Sequence, residues 1–396
     1  EETQVNEILD VLLNDPVVMQ ITKAVRKNAA LSEIIGSQHT TQAFSCANDL
    51  ALAFQGKLEC VVDSVDERVR EAKEKYGDLI LKCGITDEDL IKLFAKVWIY
   101  SRLTNPVSEL LEEVISMMEG TEKSAIFASG LGAIDAAVRQ FTPAASAGEN
   151  GEYCKGGKVF VVGSIYGGTY AQLMDLCKET GRQFEHLPIS DFLQQGLPDD
   201  TDMVLFETCN NPTLRIVPIG KIVEEAKRVG ALTLCDNTFT PLIVRPCDLG
   251  VDLSVTSMTK YYNGGSEDLG GCVSGKAELV DQFSDLHVGR RMLGGAIMAP
   301  RVAHEFLNNL KDLPERLVYA TDNARNVSEV AREFGFRAEL ADDFASYDDV
   351  KVDGLPGVMN GMVVLRLESA EMAHAFVDSM VAEGMGECAV SLGAVK

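Results

Sequence analysis

The sequence predicts an α/β fold: a mostly parallel sheet covered by helices, with a helical N-terminal segment and a smaller C-terminal α+β domain. Three observations carry this. From about residue 120, short apolar runs alternate with amphipathic stretches of ten or more residues, as expected for strands buried on both faces by crossover helices. Residues 1–95 instead read as mainly helical, with apolar positions at helical spacing in two long stretches. Finally, the side chains with chemical character cluster at the carboxyl ends of the predicted strands, where ligands of such sheets bind.

The N-terminal segment (1–95) reads as helices in "QVNEILDVLLNDPVVMQITKAVRKNAALSEII" and "VDERVREAKEKYGDLILKC". In "ITDEDLIKLFAKVWI", Thr86 stands three residues before Asp89 and predicts a capped helix start. This segment carries no chemical motif, and packing or oligomer contacts are its expected role. The large domain (96–290) alternates. The strands are "SAIFAS", "GGKVFVVGS", "TDMVLFET", "ALTLCDNT" and "VDLSVTSMTK", and the helices include "GLGAIDAAVRQF", "TYAQLMDLCKETG" and "PIGKIVEEAKRVG". The C-terminal domain (291–396) opens with helices and continues with the strand "GMVVLRLE" and the helix "SAEMAHAFVDSMVAEG".

Composition narrows the function. Of 396 residues, 36 are Lys or Arg and 60 are Asp or Glu, a net charge of −24. That field repels nucleic acid and anionic membrane, so neither is an expected partner. An anionic ligand must be held by local donors. No apolar run approaches the roughly 20 residues of a membrane span, and no signal segment opens the chain. The first residue is glutamate rather than methionine, which suggests trimming or processing. The ten cysteines are scattered without a C-x-x-C pair, which argues against a disulfide framework or a zinc site and for mostly buried thiols in a reducing, cytoplasmic setting.

The strand ends supply the chemistry. "FASGLGAI" puts Ser129, Gly130 and Leu131 at a helix start, where backbone N–H groups can seat a phosphate. "SIYGGTY" offers Tyr166 as a stacking aromatic, and "FETCNNPTL" presents Asn211 in a turn. Asp236 ends the apolar run "TLCD", a carboxylate that needs a cationic or proton-bearing partner. "SVTSMTKYYNGG" flanks Lys260 with Ser257, Thr259 and glycines. Singly, each feature has an ordinary structural reading. Together they are the parts that hold pyridoxal 5′-phosphate (PLP): a phosphate seat, a stacking ring, an amide, a carboxylate for the pyridine nitrogen and a Schiff-base lysine.

The motifs from "YSRLTNPVSELLEEVISMMEG" (100–120) through "SGLGA", "YGGTY", "ETCNNPTL" and "DNTFTPLIVRPCDLGVDLSVTSMTKYYNGGSEDLGG" to "SLG" (391–393) resemble the Cys/Met-metabolism family of PLP enzymes. That family includes cystathionine γ-synthase, cystathionine lyases, methionine γ-lyase and the O-acylhomoserine sulfhydrylases. The resemblance implies a fold-type I PLP-dependent transferase, active on a small amino-acid substrate. It implies a homo-oligomer with active sites shared across a dimer, assembled as a homotetramer. It implies that Lys260 bears the cofactor, Asp236 meets the pyridine nitrogen and Tyr166 stacks on the ring. Gly130, Leu131, Ser257 and Thr259 would hold the phosphate, with Asn211 near the ring hydroxyl and the substrate. Tyr100 and Arg102 would reach the phosphate of a neighbouring subunit, and Ser391 would seat the substrate carboxylate. Lys260 and Tyr166 would be catalytic.

Several positions depart from the family. The 1–95 segment is longer than the usual N-terminal arm. "GHSD" reads "GGSE", with Gly265 and Glu267, and "ETP" reads "ETC", with Cys209. Gly168 stands where methionine γ-lyases carry cysteine. The family's carboxylate-binding arginine lies beyond "SLG", and the sequence given ends at Lys396. Either further residues follow, or the substrate is gripped differently. The expected activity is γ-elimination or γ-replacement on an L-amino acid of the homoserine-ester or cystathionine class. β-Elimination on cystathionine or cysteine is the rival within enzymes, and a non-catalytic PLP-fold assembly protein the rival outside them.

Overall fold

The computed structural model describes residues 12–35, 59–95, 101–103, 105–147, 153–265, 267–344 and 360–385. Tyr100 and Ser391 lie outside the described residues. A seven-stranded sheet forms the centre, in the order β1-β9-β8-β7-β6-β4-β5. Its strands are β1 (Lys123–Phe127), β4 (Lys158–Val162), β5 (Gln183–Leu187), β6 (Met203–Glu207), β7 (Leu232–Asp236), β8 (Leu253–Thr256) and β9 (Gly271–Gly275). All run the same way except β9, which is antiparallel to both β1 and β8.

The central strands β4 and β6 form because both faces of each are apolar and both are covered. In β4, Val159 and Val161 face one core with Leu173 of the helix Gly167–Thr180. Phe160 and Val162 face the other core with Ile222 of the helix Ile219–Val229. Strand β6 repeats this with Met203 and Leu205 against Val204 and Phe206. Each such side chain, fully buried, contributes about 1.5–3 kcal/mol.

The expected N-terminal helices appear as Pro16–Ile35, Glu59–Cys83 and Asp87–Ala95. The cap read at Thr86 closes reciprocally: its hydroxyl accepts from the Asp89 N–H (3.2 Å), and Asp89 accepts from the Thr86 N–H (2.8 Å). The helix Pro16–Ile35 is not peripheral. Ile21, Val25 and Leu31 enter the same core as Leu111 and Ile115 of the helix Pro106–Glu119, and Asn28 donates to the Leu110 carbonyl (2.9 Å). The helix Pro106–Glu119 starts on the Asn105 side chain, which accepts from the Val107 and Ser108 N–H groups, with Pro106 preset for the first turn.

At the C-terminal end, β10 (Arg337–Glu339) and β11 (Val364–Arg366) pair antiparallel beside the helices Leu313–Glu333 and Ala370–Ala382. The remaining strands, β2 (Ser146–Ala147) and β3 (Tyr153–Cys154), form a small hairpin. Of the seven cysteines whose side chains are described, all free, Cys209, Cys235 and Cys272 are buried, Cys154 is exposed and the others are intermediate. The expectation of mostly buried thiols therefore holds for only part of the set. Among the described residues, no helix is long and apolar enough to cross a membrane.

Candidate active site

Parallel pairing aligns the carboxyl ends of β6 and β7, with Glu207 directly opposite Asp236. Oδ1 of Asp236 accepts from the Thr238 N–H (2.9 Å) and hydroxyl (2.5 Å). Burial pushes this carboxyl above the ordinary aspartate range. Glu207, 4% exposed, accepts from the Tyr166 N–H at Oε1 (2.5 Å) and from the Asn211 N–H at Oε2 (2.9 Å). Burial first, and then the neighbouring Asp236 charge, push the Glu207 carboxyl up to about 8. Glu207 was passed over in the sequence, although a lone carboxylate ending "MVLFE" carries the same signal as Asp236 ending "TLCD".

The Thr238 hydroxyl also accepts from the Ser257 N–H (2.8 Å), tying the end of β8 to that of β7. Ser257 in turn abuts the start of the helix Gly130–Phe141. Ser129 caps this helix, its hydroxyl accepting from the Gly132 N–H (3.0 Å). A Cβ at Gly130 would lie 2.8 Å from the Ser257 Cβ and 3.0 Å from its Oγ. Backbone donors of a helix start and a serine hydroxyl thus share one cradle. Leu131 contributes to the same first turn, and its carbonyl accepts from Gln172 (3.0 Å) on the helix Gly167–Thr180. Gly130→Ala is expected to force Ser257 away, costing about 1–3 kcal/mol of overpacking. Melting of the cofactor-free protein and titration with PLP would check this, the variant showing both a lower Tm and weaker binding.

Lys260 opens the short turn Tyr261–Asn263 after β8. Its N–H donates to the Ser257 carbonyl (3.3 Å), and its carbonyl accepts from the Asn263 N–H (3.1 Å). The side chain is half-buried, and desolvation lowers the pKa of its ammonium. Behind it, the Tyr262 hydroxyl donates to Glu119 Oε1 (2.9 Å), and the Ser254 hydroxyl donates to Oε2 (2.9 Å). Both Tyr262 and Glu119 are 1% exposed, so a buried network anchors the lysine turn. The Thr259 hydroxyl donates to the Gly270 carbonyl (3.2 Å) and accepts from the Gly270 N–H (3.1 Å). Those bonds tie the turn to β9, and Ser257 is the hydroxyl at the helix start.

Tyr166 precedes the helix Gly167–Thr180 and is 44% exposed. Its ring lies over Gly168, where a Cβ would come within 2.4 Å of Cε1. Asn211, half-buried, precedes Pro212 through a cis peptide. Arg102 follows residues 96–100, which lie outside the described residues, and precedes the helix Pro106–Glu119. It is exposed, its Nη1 lies 3.8 Å from the Met292 sulfur, and it lines a cavity of about 1020 Å³ with Asn28, Glu112 and Arg291. Lys260, Asp236, Tyr166 and Ser257 are not among that cavity's walls.

The profile of the Cys/Met metabolism PLP-dependent enzyme family matches residues 85–334, well over half of the chain. The chain belongs to this family. PLP is accordingly its cofactor, and the residues present fit it: the Gly130–Ser257 cradle for a phosphate, Asp236 for a ring nitrogen and Lys260 for an aldehyde carbon. Among relatives of this PLP enzyme, cystathionine beta-lyase MetC of Bacillus subtilis is 30% identical over 75% of this chain and 73% of its own. A methionine gamma-lyase of Arabidopsis thaliana is 28% identical over 75% of this chain and 66% of its own. The cystathionine gamma synthase structure from Xanthomonas oryzae pv. oryzae, in complex with aminoacrylate and cysteine, superposes with a TM-score of 0.63 at 28% identity, covering 76% of this chain and 75% of that one. This likeness confirms the fold-type I architecture. The matched part spans about two thirds of the Arabidopsis enzyme and 58% of a Lactococcus lactis cystathionine beta-lyase.

Proposed function

We propose that this PLP enzyme catalyses γ-elimination or γ-replacement on an L-amino acid of the homoserine-ester or cystathionine class. The observation that carries the reading is the juxtaposition at the strand ends: Asp236 is linked through Thr238 to Ser257, and Lys260 follows Ser257 by three residues. When bound, PLP supplies an electron sink for negative charge at the substrate Cα.

Lys260, Tyr166 and Asp236 do the rest. Desolvation favours the neutral amine of Lys260, the form that can accept the Cα proton. The anchored turn holds that amine at a fixed point, so it can carry the proton onward and then act on Cβ. Loss of a γ-substituent requires deprotonation at both carbons, and β-elimination at Cα alone. Tyr166 protonates the departing group and serves as the acid–base partner for exchange of amines at Lys260. Asp236 keeps a proton on the ring nitrogen. Gly130, Leu131 and Ser257, with Thr259 alongside, would hold the cofactor phosphate, and Asn211 would serve the ring hydroxyl and the substrate. Tyr100 and Arg102 act on the phosphate of a neighbouring subunit in a homotetramer, and Ser391 seats the substrate carboxylate.

A substrate panel of homoserine esters, cystathionine, methionine, cysteine and γ-halogenated amino acids, read by mass spectrometry, tests the reading. The expected products are 2-oxobutyrate with ammonia, or a new thioether when thiol is supplied. The 30% identity to a cystathionine beta-lyase favours a second reading, β-elimination. Pyruvate from cystathionine, with no 2-oxobutyrate from any member of the panel, would establish that reading in place of the first.

A further inference from the structure

We infer that Glu207 is a positioning residue, whose carboxylate sets the placement of Tyr166 and Asn211 over the cofactor site. The inference rests on the roles proposed above for those two residues. Tyr166 follows β4 and Asn211 follows β6, so the two belong to different loops. Pairing of β4 with β6 sets the two strand ends side by side, but it does not extend into the loops that carry Tyr166 and Asn211. Glu207, at the end of β6, spans them: one oxygen takes the Tyr166 N–H, the other the Asn211 N–H. Both donors are backbone groups, so the carboxylate fixes where each side chain starts.

The residue type is informative. Glu207 is buried beside a second carboxylate, Asp236, its register partner on β7. Burying adjacent like charges is costly, and a fold needing only a polar strand end would be better served by glutamine or threonine. A carboxyl group presents an acceptor oxygen to each of the two N–H donors in a planar fork, unequally when protonated and equally when ionised. Glutamine would turn an NH₂ group toward one of the N–H donors and leave that donor unmatched. The two-acceptor requirement accounts for keeping an acid here.

The test uses the holoenzyme with Glu207→Gln, Tyr166→Phe and the double variant. Glu207→Gln is expected to lower kcat by roughly 10-fold with KM within about 3-fold, the size of one unmade buried hydrogen bond. PLP, titrated into the cofactor-free variant, should bind roughly 10-fold more weakly by the same argument. The visible circular dichroism per bound PLP should change, because the ring neighbours have moved. In the Tyr166→Phe background the same substitution should cost under about 3-fold in kcat, since its main effect was to misplace a hydroxyl already absent. Equal losses in both backgrounds with unchanged visible circular dichroism would overturn the inference and leave Glu207 a core residue. If Glu207→Gln does not fold, Glu207→Asp keeps the charge but reaches only one loop, and the same non-additivity and dichroism decide. Tyr166→Phe with wild-type kcat would count against the proposed role of Tyr166 instead; PLP affinity and dichroism then still judge Glu207.

Discussion

Lys260→Ala is expected to abolish turnover and to leave no cofactor that borohydride can fix to the chain. Two separate losses follow from one substitution. The amine is the group placed to bond the cofactor's aldehyde carbon, and it is also the base placed to move protons at Cα and Cβ. Proton transfer by a positioned side chain contributes roughly 100- to 10,000-fold to rate, and here the same residue serves more than one transfer. The fold should survive, because the turn is held by Tyr262 on Glu119, by Tyr261 accepting the Gly361 N–H (3.0 Å), and by Arg316 donating to the Tyr261 carbonyl (2.5 Å). None of these uses the Lys260 side chain. The measurement is a peptide map after borohydride reduction of the wild type, paired with single-turnover assays of the variant. A pyridoxyl adduct on any other lysine would end the assignment.

Much of this site was legible before any coordinates because strand ends announce themselves. A polar residue terminating an apolar run, as in "TLCD" or "SVTS", marks where a buried strand reaches its ligand face. The strands β4 and β6 were legible as runs apolar on both faces, and β7 and β8 as short buried runs with an apolar alternation, Leu232 and Leu234 in one and Leu253 and Val255 in the other. What escaped reading had weaker local signals. Strand β9 (GCVSG) begins and ends with glycine, carries Ser274 within it, and pairs antiparallel. Only glycine fits at 271, because a Cβ would lie 2.4 Å from the Ser129 carbonyl oxygen, a constraint set by a segment over a hundred residues away. Strand β5, "QFEHL", lies at the sheet edge with Glu185 and His186 exposed, so it lacks the uninterrupted apolar run. The Thr259 hydroxyl is engaged by Gly270, a contact that spacing beside Lys260 does not reveal. The burial of the helix Pro16–Ile35 against Pro106–Glu119 is likewise tertiary: amphipathic spacing says that a face is covered, not by what.

Asp236→Asn is expected to preserve the fold while slowing Cα-proton exchange by roughly 100- to 1,000-fold, the scale of losing one preorganised electrostatic group. Asparagine keeps the shape and can still accept at Oδ1 from the Thr238 N–H and hydroxyl, so the link from Thr238 to Ser257 persists. What disappears is the negative charge that holds a proton on the ring nitrogen. The same substitution has an opposite effect on the cofactor-free protein. There, Asp236 and Glu207 face each other in the interior, and both carboxyls are raised above their ordinary values. An acid whose pKa is higher folded than unfolded binds more protons in the native state, so its contribution to stability is lost as pH rises through the folded value. For Glu207 that window runs from its ordinary value of 4.5 up to about 8. Removing the Asp236 charge lowers the Glu207 carboxyl toward its ordinary range and narrows the window. Thermal melts of the cofactor-free variant should therefore show a Tm at least equal to wild type near pH 8 and a shallower decline between pH 5 and pH 8. Cα exchange, followed by NMR in D₂O, should meanwhile be nearly lost. Exchange at the wild-type rate, with the shallower pH profile still present, would make Asp236 a partner of Glu207 in the core and nothing more.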